Sequence, residues 1–430
     1  MPAMGVGRSP TGGTEVLSSW VEGADGSGFP AEHLPLGVFS TGGARPRVGA
    51  RIGDHVLDLA RLSVDGLVGL DAPASEAFAA RTLNPFLALG PETWTDVRAL
   101  LSDLVCDPAA QARVEPALVP LAAATLHLPI GVADYVDFYS SLEHATNLGR
   151  LFRPDGEPLL PNWRHLPVAY HGRAGTVVVS GTPVVRPAGQ RRSSAGLVVF
   201  GPSTRLDIEL ELGFVIGVPS QQGRPVPIGE AADHVFGVVL VNDWSARDIQ
   251  VWEAQPLGPF LGKSFATSMS AWVTPLAALD GCRVDGPLQD PEPQEYLRLS
   301  EPWGLDIDLE VALLPSNAGA LAGPETISRG TAAGLYWQLP QQIAHLTVNG
   351  AHLRTGDLLA SGTISGPDRG SEGSLIELTL GGAEPLEVAG VHRTFLEDGD
   401  EVVLRGRARP ADGVMIELGH TTGRIVPASE

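Results

Sequence analysis

The chain has 430 residues, 43% of them hydrophobic and 18% charged, enough for a sizeable core and, by length, two or three domains. Fifty acidic against 29 basic side chains leave a formal net charge of −21, which disfavours nucleic acid and anionic membranes, since both are bound through basic patches. Two cysteines, Cys106 and Cys282, form no disulfide framework. No apolar run is long enough to span a bilayer, and no secretion signal is evident, so the cytoplasm is the expected location.

Residues 1–27 are rich in Gly, Ser and Thr and read as a loose tail. Val38 to Leu59 reads as short strands turning at Gly42-Gly43 and Gly53-Asp54. Asp71 to Leu104 has a helical pattern broken at Pro85 and Pro91, with Thr93 or Thr95 as a cap. The Ala- and Pro-rich segment from Pro108 to Ala124 reads as a link, which sets the expected domains at 28–125 and 126–430. Beyond it, strands are predicted at 177–179, 196–200, 206–216, 235–242, 357–363, 374–380, 394–395 and 401–405. Helices are predicted at 243–252 and 334–346, with Pro340 bending the second or sitting in its first turn. With 52 Gly and 36 Pro, the second domain is read as mostly β, and the class as mainly β (α+β).

The segment Leu206-Asp207-Ile208-Glu209-Leu210-Glu211-Leu212 alternates strictly between apolar and acidic residues. On a strand that pattern turns Ile208, Leu210 and Leu212 to a core and stacks Asp207, Glu209 and Glu211 on the other face. Alone, such a face is either wet or a cation site. Three more segments gather reactive side chains: Asp134-Tyr135-Val136-Asp137-Phe138-Tyr139 with Glu143-His144, Asn242 to Gln250, and Gly258 to Thr267. On a helix, Asp243, Arg247 and Gln250 share one face. The last segment resembles a phosphate loop only superficially, because its glycine spacing is wrong.

These blocks resemble the fumarylacetoacetate hydrolase family. The resemblance runs through DYVDFYSSLEHATNLG, LLPNWRHLPVAYHGRAGTVVVSGTPVVRPAGQ, LDIELELGFVIG, VNDWSARDIQVWEAQPLGPFLGKSF and RTGDLLASGTISGP, and into the N-terminal part through FPAEHLPLGVFSTGGARPRVGARIGDHVLDL, covering about Phe29 to Pro427. It implies an N-terminal SH3-like barrel, a C-terminal β-roll or mixed β-sandwich domain that carries the site, and a homodimer. It also implies hydrolysis of the carbon–carbon bond of 4-fumarylacetoacetate to fumarate and acetoacetate, in tyrosine and phenylalanine breakdown. Carried over by motif, Asp137, Glu209, Glu211 and Asp243 hold a divalent ion, calcium or magnesium. A second, structural cation, Mg²⁺ or monovalent, is expected near Asp243, Lys263 and Thr267. His144 matches the catalytic base and Glu377 its orienting partner. Tyr139, Arg153, Tyr170, Arg247, Gln250 and Thr363 match substrate contacts.

The residue types suit that chemistry. Oxygen donors from several segments suit a hard cation, with no Cys or His needed. Histidine titrates near neutrality and can take the proton of water, with a carboxylate behind it fixing the ring. No Gly-x-Ser-x-Gly accompanies the pair, which favours water over a covalent serine. Arg247, Gln250 and Lys263 offer donors to an oxyanion. His165 and His171 read as structural, and Asp207 as solvated or structural. One departure stands out: the family's tyrosine after Trp-Glu is Ala254 here, in Trp252-Glu253-Ala254-Gln255-Pro256. A missing phenol leaves the hydrolytic machinery intact but bears on the substrate. The alternatives are therefore a hydrolase or decarboxylase of a related β-diketo or β-keto acid, or a non-catalytic metal-binding scaffold.

Overall fold

The computed structural model describes residues 16–68, 72–410 and 413–429. Two neighbouring strands, Leu210–Ile216 and Val235–Asp243, carry apolar side chains on both faces and pair antiparallel, Leu212 opposite Leu240. Leu210, Leu212, Phe214 and Ile216, with Val238 and Leu240, enter one core; Val215, Val239 and Val241 enter a second. A sheet covered on both sides is what such near-continuous apolar runs require.

These strands are the centre of a larger sheet. Its main path runs Leu118–Pro120, His55–Asp58, Arg47–Ile52, Leu36–Ser40, Trp272–Pro275, Val235–Asp243, Leu210–Ile216, Leu358–Ala360, Tyr135–Phe138, Ala169–His171. Thr267–Met269 pairs with Val235–Asp243, setting Thr267 opposite Asp243. A five-stranded sheet, Glu325–Thr331, Ile307–Leu314, Glu401–Ala408, Ile416–Val426 and Val184–Val185, supplies Leu309, Val311, Leu404 and Leu418 to the first core. The class is α+β, as expected. The sheet crosses the expected boundary at 125/126 without a break, because Leu36–Ser40 pairs with Trp272–Pro275.

Several local expectations need correction. Residues 1–15 of the expected tail lie outside the described residues, but 16–27 are not loose. Val21 and Ala24 are buried, and Trp20 Nε1 donates to Leu104 O at 2.9 Å, closing the segment over the helix Pro91–Cys106. That helix is capped by Gly90, with Pro91 at its start; Thr95, inside it, donates its hydroxyl to Pro91 O at 2.9 Å and caps nothing. The expected link contributes Leu118–Pro120 to the sheet. Asp243 ends a strand, and the helix begins only at Arg247. Residues 375–378 are helical and 394–395 are not a strand, since Leu375, Ile376 and Leu378 pack into cores from a single turn. Pro340 sits in the first turn of Leu339–Thr347, where its missing N–H costs nothing.

Deleting residues 1–27 should lower the melting temperature by several degrees below that of a variant lacking only 1–15. Burying one valine is worth about 1.5–3 kcal/mol. Equal melting temperatures for the two truncations would show that 16–27 contribute nothing to the core.

Candidate active site

Glu209 lies in the bend between the short strand Leu206–Asp207 and Leu210–Ile216, and Glu211 follows on the same side of the chain. Asp243 ends the neighbouring strand, and Asp137 stands on Tyr135–Phe138, held in line by Leu358–Ala360. Topology thus brings four carboxylates from three segments together, with one oxygen of each within 4.8 Å of the others. All four are buried. The acidic face is therefore buried rather than a solvated strand face, the first of the two readings the alternation alone allowed.

Burial makes this cluster costly. Burial pushes Glu211 well above the usual carboxylate range, and Asp137, Asp243 and Glu209 push it further. Asp137 is driven up in the same way, mainly by burial, and Asp243 too, with Lys263 opposing. Glu209 differs. Burial raises it, but Lys263 and then Arg247 and His144 outweigh that and bring it down to about 2.

The cations sit on one side of the cluster. Lys263 Nζ donates to Glu209 and, at 3.0 Å, to Asp243 Oδ2; Thr267 Oγ1 donates to Asp243 Oδ1 at 2.7 Å. Gly262 lets the preceding loop lie against the helix Arg247–Glu253, since a Cβ there would stand 2.8 Å from Gln250 Cα. Burial would lower the Lys263 pKa, but Asp243, Glu209 and Asp137 raise it. The Lys263 ammonium thus stands against the cluster as a fixed positive charge, and its Nζ has no lone pair to offer a metal. Each oxygen of Asp243 already has a protein donor. The second cation expected there has no acidic cluster of its own among the described residues, where the four-carboxylate group stands alone.

Arg247 is almost wholly buried. Its Nε donates to Asp207 Oδ2 at 2.8 Å and its Nη1 to Gln250 Oε1 at 3.1 Å, and Nη1 forms an ion pair with Glu209 Oε1 at 2.7 Å. Nη2 is buried with no partner, a donor left over. Both oxygens of Glu211 and the hydroxyl of Thr363 are likewise buried and unpartnered, while the Tyr170 hydroxyl lies against the Asp137 carboxyl. Thr363 is delivered by Gly362, whose φ of +78° and whose absent Cβ, which would meet Phe138 O at 2.1 Å, admit no other residue without strain.

His144 lies in the first turn of Leu142–Phe152, whose N-cap Ser141 accepts from His144 N. Its Nδ1 donates to Glu377 Oε2 at 2.6 Å. Glu377 also accepts from Ser374 Oγ at 2.6 Å, Ser365 Oγ at 3.0 Å and Asn147 Nδ2 at 3.0 Å. Burial pushes the Glu377 carboxyl up, but His144, Ser374 and Asn147 outweigh it, so its pKa is lowered. Glu377 is thus an ionised acceptor, and Nε2 of the ring it holds is left to accept a proton.

Tyr139 packs edge-on against His144, ring centroids 5.3 Å apart. Gln250 orients on Arg247, and Tyr170 stands opposite Asp137 in the strand register. Arg153 is not drawn into the cluster: it is exposed at the end of its helix, and its Nη2 donates to Pro158 O. It does line a small cavity with Tyr139, Leu148, Trp163 and Val168. His165 is exposed, and His171 pairs with Asp134 at 2.9 Å on the surface. Sequence reasoning missed Asn147, Ser365 and Ser374. Two of them were findable: Asn147 is three residues after His144 on one helix face, and Ser374 three before Glu377.

Two family models match this chain, Fumarylacetoacetase N-terminal over residues 32–129 and Fumarylacetoacetate (FAA) hydrolase C-terminal over 135–426. The chain belongs to the fumarylacetoacetate hydrolase family. It is 48% identical to the fumarylacetoacetase of Rattus norvegicus over 95% of this chain and 99% of that one. It is 46% identical to that of Homo sapiens over 95% and 99%, and to that of Caenorhabditis elegans over 96% and 100%. A solved fumarylacetoacetate hydrolase from Exiguobacterium antarcticum has the same fold at 17% identity, with a TM-score of 0.51 over 92% of this chain and 100% of that one. As a member of this family the chain is a hydrolase, and its four-carboxylate cluster is a group that could bind a metal ion.

The residues fit such an ion. Counting Asp207, five buried carboxylates face only Lys263 and Arg247, and Glu211 has two bare oxygens. Without a cation the folded state keeps raised carboxyl pKa values at Asp137, Glu211 and Asp243, so it holds more protons than the unfolded chain above about pH 4, and stability falls as pH rises. Glu209 and Glu377, shifted down, titrate below this window. Chelator-treated protein should therefore melt at a lower temperature at about pH 8 than at about pH 6, and added Ca²⁺ or Mg²⁺ should stabilise it more at the higher pH. A melting temperature indifferent to both pH and cation would remove the metal reading.

Proposed function

We propose that this chain hydrolyses 4-fumarylacetoacetate to fumarate and acetoacetate. The observation that carries the reading is a carboxylate-held imidazole, His144 on Glu377, beside a buried four-carboxylate cluster, in a chain nearly half identical to fumarylacetoacetases along its length. Asp137, Glu209, Glu211 and Asp243 would hold the ion, Ca²⁺ or Mg²⁺. When bound, it supplies Lewis acidity toward the two oxygens of a β-diketone.

The chain's own residues supply the rest. His144 Nε2 takes a proton from water as the water oxygen bonds to the carbonyl carbon of the fumaroyl half. Glu377, ionised and held by three further donors, keeps Nδ1 protonated and steadies the imidazolium. Arg247 Nη2 is the spare donor for the oxyanion, with the Lys263 charge behind it. The carbon–carbon bond then breaks, its electron pair stays on the acetoacetate carbon, and the proton on His144 passes to that carbon. Thr363 offers an unpartnered hydroxyl for substrate, Tyr170 a hydroxyl beside Asp137, and Tyr139 walls the imidazole.

A second reading rests on Ala254. It caps the helix Arg247–Glu253, half-buried, with a methyl where the family pattern has a phenol. A related β-diketo acid with a bulkier acyl group suits the extra room. Turnover of an acylpyruvate without turnover of fumarylacetoacetate would favour this second reading. His144→Ala should lower kcat on the true substrate by about 10²–10⁴-fold. Undiminished activity would end the role of His144 as base, and full activity after confirmed metal loss would end that of the cation.

We also infer a homodimer. Leu197, Val198 and Phe200 on the hairpin 188–202, and Leu257, Phe260 and Leu261 beyond the helix Arg247–Glu253, are all exposed. The hairpin packs on that helix, with Gly189 against Ile249 and Arg192 over Trp252, so these side chains surround one element. An apolar area of this kind suits a second copy. Phe200→Asp should shift the mass in solution toward monomer; an unchanged mass would place any interface elsewhere.

A further inference from the structure

Asp207 began as the acid that the cation site did not need. It is fully buried, and its two oxygens take four donors. Oδ1 accepts Ile208 N and Leu375 N, each at 2.7 Å. Oδ2 accepts Arg247 Nε at 2.8 Å and Ile376 N at 3.1 Å. Leu375 and Ile376 open the single turn that carries Glu377.

The reason lies in a displaced cap. Ser374 and Glu377 have the Ser-x-x-Glu spacing in which the serine hydroxyl ordinarily accepts a backbone amide of the first turn. Here Ser374 Oγ donates to Glu377 Oε2 instead and makes no cap bond. With no serine cap on this turn, Asp207 takes the amides of its first two residues, Leu375 and Ile376. The same carboxylate grips Arg247. With Nε on Asp207 and Nη1 on Glu209 and Gln250, the planar guanidinium has one direction left for Nη2.

We infer that Asp207 is a positioning residue that sets the His144–Glu377 dyad and the Arg247 donor in register with each other. It reaches no substrate, since its four donors are all protein groups. An asparagine in its place would turn an NH₂ toward Arg247 Nε and Ile376 N, or toward Leu375 N and Ile208 N, donor against donor, and both dependents would shift.

Asp400 is a chemical twin away from the site. Fully buried, it accepts Arg393 Nε at 2.9 Å and Nη2 at 3.0 Å, and the amides of Ser316 and Glu397 at 2.8 Å each. Asp207→Asn and Asp400→Asn, each in the full chain, are to be compared by turnover of fumarylacetoacetate and by the low-field proton resonance of the imidazole N–H held by Glu377. Both variants should melt earlier than the parent. Only Asp207→Asn should lower kcat and kcat/KM together, by about 30-fold, with KM within about threefold of the parent, and shift or broaden the resonance. A kcat equal to that of Asp400→Asn, or an unmoved resonance, overturns the inference. If Asp207→Asn does not fold, Asp207→Glu, which keeps the charge but moves it by one methylene, is read by the same two outcomes. The kinetic arm rests on the proposed hydrolysis. The resonance arm does not, so a parent protein without turnover counts against that reading alone, and the resonance still decides Asp207.

Discussion

Five buried carboxylates are the constraint around which this site is organised. Coulomb repulsion in a low-dielectric interior is too large to leave unanswered. The chain answers it unevenly. Lys263 and Arg247 both lie against Glu209 and leave it firmly ionised, whereas Glu211 has two bare oxygens and no cationic neighbour in contact. The asymmetry is directional: positive charge is fixed on one side of the cluster, and the unmet demand for it falls on the other. A hard cation with oxygen ligands is the group that meets such a demand.

The same economy of donors runs through the neighbouring groups. Glu377 collects four donors and so stays an acceptor for His144, which leaves the other ring nitrogen for chemistry. Arg247 spends Nε and Nη1 on Asp207, Glu209 and Gln250 and keeps Nη2. In each case the residue proposed to act is held by others, and the atom left unpaired is the one the proposal assigns to the reaction. Unpartnered buried donors and acceptors are costly, and those of Glu211, Arg247 and Thr363 lie in the region proposed to take the cation and the substrate.

The fold supplies the rigidity this needs. Strands Leu210–Ile216 and Val235–Asp243 are packed on both faces, and the site sits at their ends rather than on mobile loops. The N-terminal strands join the same sheet through Leu36–Ser40 and help to build the second core.

Much of this was legible in the residues. The apolar–acidic alternation placed Glu209 and Glu211 on one side, because a strand has a period of two whatever surrounds it. The turns at Gly42-Gly43 and Gly53-Asp54 and the position of Pro340 followed from backbone chemistry that is local. The motifs that resemble the fumarylacetoacetate hydrolase family named the carboxylate cluster and the His144–Glu377 pair before any coordinates. Tertiary structure decided what local chemistry cannot. It placed Asp243 at the end of a strand rather than on a helix, because Asp243 pairs with Thr267 of Thr267–Met269, and that pairing outweighs any helical spacing with Arg247. It made residues 375–378 a turn of helix, because Asp207, 168 positions earlier, caps its amides. It also decided between the two readings of Asp207, solvated or structural, by burying it among four protein donors. Burial and long-range hydrogen bonds are properties of the folded surroundings, and no window of sequence contains them.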